Sequence, residues 1–247
     1  MDPFAIPPIA AVLAAGYSDV IALVALLTPI AGTVSAAVAV IVLTLLIRSV
    51  LIPVGASQLK AEGMRRRLAP KLAELQRRHK KNPALLQQKT LDLYRSEKVS
   101  PFAGVLPTLA QLPIVSLLYA LFIHPEVGGH ANELLSQRLL GVPLGTSFVH
   151  LVAGGSWWPG ILVYGAIFLV MGAVAWMSRR TALRLAVTTP APPAATARVA
   201  SALSWMPFVS VIFAAFVPLA AALYLATSTS WTLVERALLR RRYRRER

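Results

Sequence analysis

Long stretches without charge constrain the fold of this chain more than any other feature. Residues 28–52 contain a single charged residue, Arg48, and residues 101–123 and 157–177 contain none. At a rise of about 1.5 Å per residue, each run is long enough for a helix that crosses a hydrocarbon layer about 30 Å thick. Only 14% of the 247 residues are charged, against roughly 25% in an average soluble protein. The sequence therefore predicts an all-α, polytopic membrane protein.

A fourth apolar stretch, residues 201–231, is too long for one span and short for two. Pro218 divides it, and because proline disfavours a continuous helix, the stretch predicts spans at 201–217 and 218–234. A single tilted, kinked helix is the alternative. With the first span at 28–56, the chain has five predicted transmembrane helices. Residues 1–27 are apolar but interrupted by prolines and Asp19, which predicts an external, interfacial segment.

The distribution of the net charge of +15 predicts the topology. Twelve of the 25 basic residues lie at 60–98, four at 178–200 and seven from Arg236 onward, whereas residues 124–156 contain one and residues 1–27 contain none. By the positive-inside rule, the basic segments face the cytoplasm, and the N-terminus and the 124–156 loop lie outside. Four spans would leave the basic tail, residues 235–247, outside. Because no arginine-rich presequence precedes the first span, the expected location is a bacterial plasma membrane.

The basic segment at 57–100 has helical periodicity. Apolar residues recur there at spacings of three and four between charged ones, namely Ala61, Met64, Leu68, Leu72 and Leu75. This helix is expected to end near His79, and Asn82 with Pro83 supplies the N-cap and first residue of a second helix. The pattern predicts a cytoplasmic helical hairpin; a solvated loop between spans is the alternative.

Arg48 is the residue that most narrows the range of possible functions. The apolar run continues beyond it to Val54, so its guanidinium is expected within the depth of the membrane, at a cost of about 2.5–3.5 kcal/mol near a helix centre. The side chain can snorkel to the headgroups or lie in a hydrated cavity. None of the ten acidic residues lies inside a predicted span. We therefore expect a cavity, open to the cytoplasm, that accepts an acidic or polar segment of another molecule.

Further polar side chains lie in the predicted spans. Gln111 stands in the middle of the second span, where its amide needs partners. Hydroxyls are present at Thr44, Ser116, Ser204 and Ser228, among others, although such hydroxyls commonly bond back to their own helix. The chain has no cysteine, no HExxH sequence and no nucleophile elbow, and its four histidines lie in loops. The sequence thus predicts no enzyme activity, no cofactor and no metal site.

The C-terminal tail carries seven arginines in its last twelve residues. Anionic lipids fit this composition, at about 1 kcal/mol per charge near the membrane surface. Phosphates of RNA fit it as well, since arginine forks bind them in two-pronged geometry. The arginines expected to make either contact are Arg240, Arg241, Arg242, Arg244 and Arg245.

The order of these segments resembles the YidC/Oxa1/Alb3 family of membrane protein insertases. The resemblance is carried by LTLLIRSVLIP in the first span, the basic hairpin, SPFAGVLPTLAQLPIVSLLYALF, WMPFVSVIFAAFVPLAAALY and the basic tail. Its most specific part is the arginine before a proline in the first span, combined with the proline-punctuated second span. Residues 124–156 leave no room for a large external domain, which resembles the Gram-positive type.

The resemblance implies a function without covalent chemistry. Five helices would enclose a hydrophilic groove that is open to the cytoplasm and lipid and closed to the outside. Nascent membrane proteins would enter the bilayer along it, alone or with the Sec translocon. Arg48 and Gln111 match groove residues of the family. The hydroxyls expected to line the same groove are those of Thr44, Ser116, Ser204 and Ser228.

The resemblance also implies roles for the two basic segments. The hairpin would recruit substrate, and the tail would contact the ribosome or anionic lipids. The hairpin residues expected to make the contact are Leu68, Leu72, Leu75, Arg77 and Arg78.

Two other functions are compatible with these residues. A small transporter or channel component would use Arg48 and Gln111 to line an anion path. We find no inverted repeat of the kind that many carriers show, and five spans do not divide into two halves. A ribosome-tethering membrane protein without insertion activity would need the tail and not Arg48.

Overall fold

The computed structural model describes residues 7–100, 109, 116, 119–127, 130–155, 158–186 and 201–245, without the side chains of 7–10, 12, 185, 186 and 243–245. These residues are predominantly helical and divide into two compact units. The apolar unit comprises Met1–Val50, Pro113–Met177 and Pro207–Leu233. The basic unit comprises Leu51–Leu112, Ser178–Met206 and Val234–Arg247.

The first described element is a long helix, α1, at Pro7–Ala31. Residues 1–27 were expected to contain only short apolar segments, but Pro7 and Pro8 lie in the first turn, where a helix does not need their missing N–H, and Asp19 is exposed. A 3-10 turn at Gly32–Val34 ends α1, and α2 follows at Ser35–Val50. Gly32 has a φ of +55°, which glycine adopts without the steric cost of a Cβ. The predicted first span, 28–56, is therefore not one continuous helix.

The basic unit contains a helical hairpin, as the periodicity predicts. Helix α3 covers Ile52–Arg78 and α4 covers Pro83–Ser96. The Asn82 Oδ1 atom accepts a hydrogen bond from the Leu85 backbone N–H at 3.1 Å, and Pro83 occupies the first turn. An N-cap of this kind satisfies one of the backbone donors that a helix start leaves unpaired.

The segment that follows the predicted second span packs within the apolar unit, of which it is a part. Strands β1 (Glu126–Val127) and β2 (His130–Ala131) pair antiparallel, and β3 (Arg138–Leu139) pairs with β4 (Val142–Pro143). The short helices α5 (Glu133–Ser136) and α6 (Phe148–Ala153) lie between and after them. Within the described residues, these two-residue strands are an exception to the predicted all-α fold.

Three helices complete the described chain: α7 at Gly160–Ala186, α8 at Met206–Ala214 and α9 at Leu219–Arg245. The break between α8 and α9 coincides with the predicted break at Pro218, which has no N–H to donate within a helix. Helix α9 continues well beyond the predicted end of the last span at Val234. The basic tail is helical as far as Arg245 because arginine, leucine and alanine are good helix formers.

Two helical stretches of the described residues, Leu13–Val50 and Gly160–Arg184, are long and apolar enough to cross a membrane, and Ser201–Ala214 is a shorter apolar helix. The predicted second span, 101–123, is described only at 109, 116 and 119–123. The count of five spans stays a prediction.

Aromatic side chains form the centre of the apolar unit. The Tyr164 ring is fully buried and its centroid lies 5.4 Å from that of Phe148 and 5.7 Å from that of Phe168. Its hydroxyl donates to the Thr146 carbonyl oxygen at 2.8 Å. Rings of this size contribute large apolar areas to a core, and a buried hydroxyl of this kind needs a partner.

Candidate functional site

Arg48 lies near the C-terminal end of α2, and its Nη2 atom donates a hydrogen bond to the Ser228 Oγ atom in the middle of α9. The two residues are 180 positions apart in the chain. Arg48 is half-buried, and the Ser228 side chain is only 3% exposed. Both residues were predicted site residues, and the structure brings them into direct contact.

The Ser228 hydroxyl differs from its neighbours on α9. The other described hydroxyls on this part of the helix donate to carbonyl oxygens four residues earlier, at 2.7–2.9 Å; they belong to Thr227, Thr229, Ser230 and Thr232. Such bonds satisfy a hydroxyl within its own helix. Ser228 instead accepts from a guanidinium, so it serves as a partner for a charge.

Thr44 lies one helical turn before Arg48 on the same face of α2. Its side chain is 1% exposed, and its hydroxyl donates to the Val40 carbonyl oxygen at 2.7 Å. Thr44 therefore contributes a buried polar atom near Arg48 but has its donor already satisfied.

No carboxylate compensates the charge of Arg48 among the residues that the structure describes. The acidic residues described in the apolar unit are Asp19, Glu126 and Glu133, and all three are exposed. A hydroxyl dipole stabilises a cation much less than a full negative charge does. The guanidinium therefore needs water, or an acidic group from another molecule, to complete its interactions.

The other predicted groove residues have different positions. Gln111 lies outside the described residues. Ser116 is described and exposed. Ser204 is 8% exposed, belongs to the basic unit, and donates its hydroxyl to the Ser201 carbonyl oxygen at 2.6 Å. The structure therefore gives Ser204 a local hydrogen bond that stabilises its own turn.

Trp231 contributes a further polar atom near Ser228, and the sequence alone predicted no role for this residue. It lies three residues after Ser228, so the two side chains share a face of α9. The indole Nε1 atom is buried and has no hydrogen-bond partner in the described part of the chain. An unpartnered buried N–H is a donor available to an incoming acceptor.

The segment at 130–155 contains a structural element that sequence reasoning missed. The Asn132 side chain is 5% exposed, and its Nδ2 atom donates to the carbonyl oxygens of Leu121 and His124, each at 2.9 Å. The Leu219 and Ala220 N–H groups, at the start of α9, donate to carbonyl oxygens of this segment at 3.1 and 2.9 Å. The segment thus covers the N-terminal end of α9, whose donors would otherwise be unpaired.

The predicted recruitment residues of the hairpin fall into two classes. Leu68 is 2% exposed and packs inside the basic unit, whereas Leu72 and Leu75 are half-buried. Arg77 and Arg78 are exposed, and Arg78 pairs with Glu74 one turn earlier. Leu68 therefore has a packing role and presents no contact surface.

The described arginines of the tail also differ from one another. The Arg240 Nη2 atom lies 3.3 Å from the Glu62 Oε1 atom, and the Arg240 side chain is 25% exposed. Arg241 and Arg242 are exposed. Contacts were also predicted for Arg244 and Arg245, whose side chains the structure does not describe.

Glu62 also pairs with Arg66 at 2.6 Å. Among the described residues, no group of three or more histidine, aspartate or glutamate side chains is arranged to hold a metal ion.

A family model described as "60Kd inner membrane protein" matches residues 27–246. The chain belongs to the YidC/Oxa1 family. The matched residues include Arg48, Ser228, the whole hairpin and α9. Members of this family are inner membrane proteins, and the apolar helices of this chain agree with that location.

Individual relatives in the family agree with this match. A "Membrane protein insertase YidC" from Agrobacterium fabrum is 27% identical over 207 residues, which are 83% of this chain and 33% of that protein. One from Zymomonas mobilis is 30% identical over 186 residues, 75% of this chain and 30% of the relative. One from Clostridium perfringens is 36% identical over 85 residues, 34% of this chain and 36% of the relative. The alignments thus span about a third of the length of these family members.

Proposed function

We propose that this chain is a membrane protein insertase, which moves nascent membrane proteins into the bilayer without a catalytic reaction. The observation that carries the proposal is the pairing of Arg48 on α2 with the Ser228 hydroxyl, on the part of α9 that belongs to the apolar unit. The names of the family members describe insertion. A transporter would need a path across the membrane, and no described feature favours one.

The contact between Arg48 and Ser228 suits a reversible exchange. A substrate carboxylate can replace the neutral hydroxyl at Arg48, because a full negative charge attracts the guanidinium more strongly than a hydroxyl dipole does. Two opposite charges at 4 Å attract by about 4 kcal/mol at an effective dielectric constant of about 20. Water that hydrates Arg48 would also hydrate the polar external part of the substrate, which shortens the apolar distance that this part must cross.

The surrounding architecture in this proposal has five spans, an external N-terminus and a cytoplasmic C-terminus. The groove would open to the cytoplasm and lipid, with Gln111 and Trp231 as further polar groups in it. The basic hairpin and tail would face the cytoplasm. In the tail, Arg241 and Arg242 are exposed, whereas Arg240 is mostly buried and contacts Glu62. Their partners there would be the ribosome, anionic lipids or the Sec translocon.

Reconstitution into vesicles tests the proposal. The substrate is a short single-span protein with an acidic external tail, and it is offered to wild type, Arg48→Ala and Arg48→Lys. We expect Arg48→Ala to lower insertion about tenfold, the equivalent of about 1.4 kcal/mol, and Arg48→Lys to retain most of it because the charge remains. A substrate with a neutral tail should depend much less on position 48.

Arg138→Ala is the matched control, since Arg138 is an exposed arginine whose one hydrogen bond to a described residue goes to the nearby Gly141 carbonyl oxygen at 3.3 Å. It should insert like wild type. Full insertion by Arg48→Ala would contradict a role for the charge and move the function to the hydration and apolar faces of the groove. Failure of the wild type to insert any substrate would contradict the proposal itself and favour a transporter.

A further inference from the structure

Two residues, Leu140 and Gly141, connect β3 to β4 and form the tip of this β-hairpin. Both have a positive φ, +49° for Leu140 and +87° for Gly141. Glycine adopts such an angle without steric cost, whereas the Cβ of a leucine crowds the backbone there. Asparagine followed by glycine is the usual sequence of a two-residue turn with two positive φ angles. The chain therefore has leucine at a position where the backbone geometry favours asparagine.

The Leu140 side chain contributes little to the core of the apolar unit. It is 67% exposed, whereas the side chain of Val142, on β4, is buried. Leu139, on β3, is half-buried and packs against the core. A strained backbone conformation persists where other contacts hold it in place. Packing within the described residues therefore compensates little of the cost of this conformation at Leu140.

The tip lies close to the points where two apolar helices begin. A Cβ added at Gly141 would lie 3.3 Å from the Pro159 Cγ atom, directly before α7. Strand β3 also contacts the 3-10 turn that precedes α2. Helices α2 and α7 both belong to stretches that are long and apolar enough to cross a membrane. If these helices are spans, an apolar side chain at the tip reaches the lipid leaflet in which they begin.

Trp158 marks the same level. It stands two residues before α7, and its side chain is 72% exposed. Tryptophan is enriched where spans pass from water into the bilayer, because its ring suits the headgroup region. One leucine beside one tryptophan is far smaller than a stable interface between proteins. Lipid therefore fits this surface better than a protein partner does.

We propose that Leu140 inserts into the lipid leaflet beside the start of α7 and anchors the β-hairpin to the membrane surface, with Trp158 in the headgroup region. The inference rests on the proposed function, in which α2 and α7 cross the membrane. Hydrocarbon that covers a leucine side chain favours the shielded state by roughly tenfold or more, which offsets the cost of the left-handed backbone. Because the segment at 130–155 covers the N-terminal end of α9, the anchor holds this cover against the bilayer.

Spin labels on single cysteines test the anchor, since the chain has no cysteine of its own. Leu140→Cys, Ser136→Cys and Leu169→Cys of the full chain are labelled with an apolar nitroxide and placed in nanodiscs of phosphatidylethanolamine and phosphatidylglycerol. Ser136 is exposed two residues before β3, and Leu169 is 73% exposed in the middle of α7. A water-soluble nickel complex should reach the label at 140 about tenfold less than the label at 136. The label at 169 should be shielded as well.

Three results of this measurement would overturn the proposal. Equal access of the nickel complex to the labels at 140 and 136 would show that the tip lies in water. Shielding of the label at 140 that appears only when a nanodisc contains two copies of the chain would assign the tip to a second copy. Free access to the label at 169 would contradict α7 as a span, and the anchor with it.

The variant Leu140→Asn tests the anchor by the sign of its effect. Asparagine adopts the left-handed conformation more readily than leucine does, so without lipid contact it would stabilise the β-hairpin. The reporter is hydrogen exchange of the Leu144 N–H, which donates to the Gln137 carbonyl oxygen at 2.8 Å. With the anchor, Leu140→Asn should lower its protection about threefold, because the loss of lipid contact outweighs the better turn. Higher protection than in wild type would overturn the proposal.

Leu140→Met is the matched control, because it retains an apolar side chain of similar size and should keep the protection of wild type. The anchor and the proposed function can fail separately. A shielded tip in a protein that inserts no substrate would contradict the proposed function and support the anchor. Insertion by a wild type whose tip is open to the nickel complex would contradict only the anchor.

Discussion

The apolar unit and the basic unit are stabilised by different interactions. The largest fully buried side chains, such as Tyr164, Phe122 and Met171, belong to the apolar unit, with Leu68 as an exception in the basic unit. The ion pairs that Glu62, Glu74 and Glu97 form, by contrast, lie in the basic unit. Packing of buried apolar groups depends little on salt, whereas exposed ion pairs contribute about 0–1 kcal/mol each and are screened by it.

The two kinds of interaction suit different roles for the two units. A guanidinium such as that of Arg48 needs a rigid surrounding, because its hydration and its contact with Ser228 depend on fixed helices. In the proposed function the hairpin would exchange partners, and weak ion pairs suit such an exchange. The predictions that follow test this contrast, starting with the variant expected to have the largest effect.

The first prediction concerns the polar groups buried in the apolar unit. Asn132→Ala removes two hydrogen bonds, to the Leu121 and His124 carbonyl oxygens, and the acceptor of the Leu134 N–H. Buried groups that lose their partners cost about 1–3 kcal/mol each. We therefore expect a loss of about 3 kcal/mol in the free energy of unfolding, measured by tryptophan fluorescence in lipid bicelles.

Ser136→Ala is the control for this variant, because its hydroxyl makes an exposed hydrogen bond to the Glu133 carbonyl oxygen in the same segment. It should change the free energy of unfolding by less than about 0.5 kcal/mol. A similar small change for Asn132→Ala would show that the stability of the 130–155 segment does not depend on its buried amide, and it would remove this contrast between the units.

A feature of this fold can be predicted from the sequence when the residues that determine it lie close together in the chain. The hairpin was predictable, because an Asn-Pro cap and apolar spacing act within a few residues. The same holds for the break at Pro218. The continuous helix α1 was not predicted, because the sequence does not reveal that Asp19 lies on an exposed face of the helix.

The candidate site shows the same limit. Sequence reasoning identified Arg48 from its apolar surroundings and included Ser228 among several hydroxyls. It did not predict their contact, because nothing local distinguishes Ser228 from Thr227 or Thr229. The ion pair between Arg240 and Glu62 was not predicted, for the same reason. The arginines of the tail look alike in the sequence, and only tertiary contacts distinguish them.

The second prediction compares two glycines in α3 of the basic unit. A Cβ at Gly63 would meet no atom within 4 Å, whereas one at Gly55 would overlap the Glu235 Oε1 atom, so the Glu235 carboxylate would have to move. Replacement of an exposed helical glycine by alanine stabilises a helix by about 0.5–1 kcal/mol. Gly63→Ala should therefore raise the protection of α3 amides in hydrogen exchange by that amount. Gly55→Ala should gain nothing or lose protection, and an equal gain in both variants would contradict the close approach of Glu235.

The last and smallest effect concerns an ion pair of the hairpin. Lys71 donates a hydrogen bond to Glu97, and this bond and the charge of Lys71 hold the pKa of Glu97 below its usual value of 4.5. Because the folded state favours the carboxylate, its stabilising contribution is complete above that usual value and is lost as the pH falls through the lower folded pKa. Wild type should therefore lose protection of α4 amides as the pH falls below about 4.5 and through the lower folded pKa of Glu97, while Glu97→Gln should start lower and lose less. The apolar unit should show no difference between the two proteins, and parallel pH profiles of wild type and Glu97→Gln in α4 would show that this pair does not stabilise the hairpin.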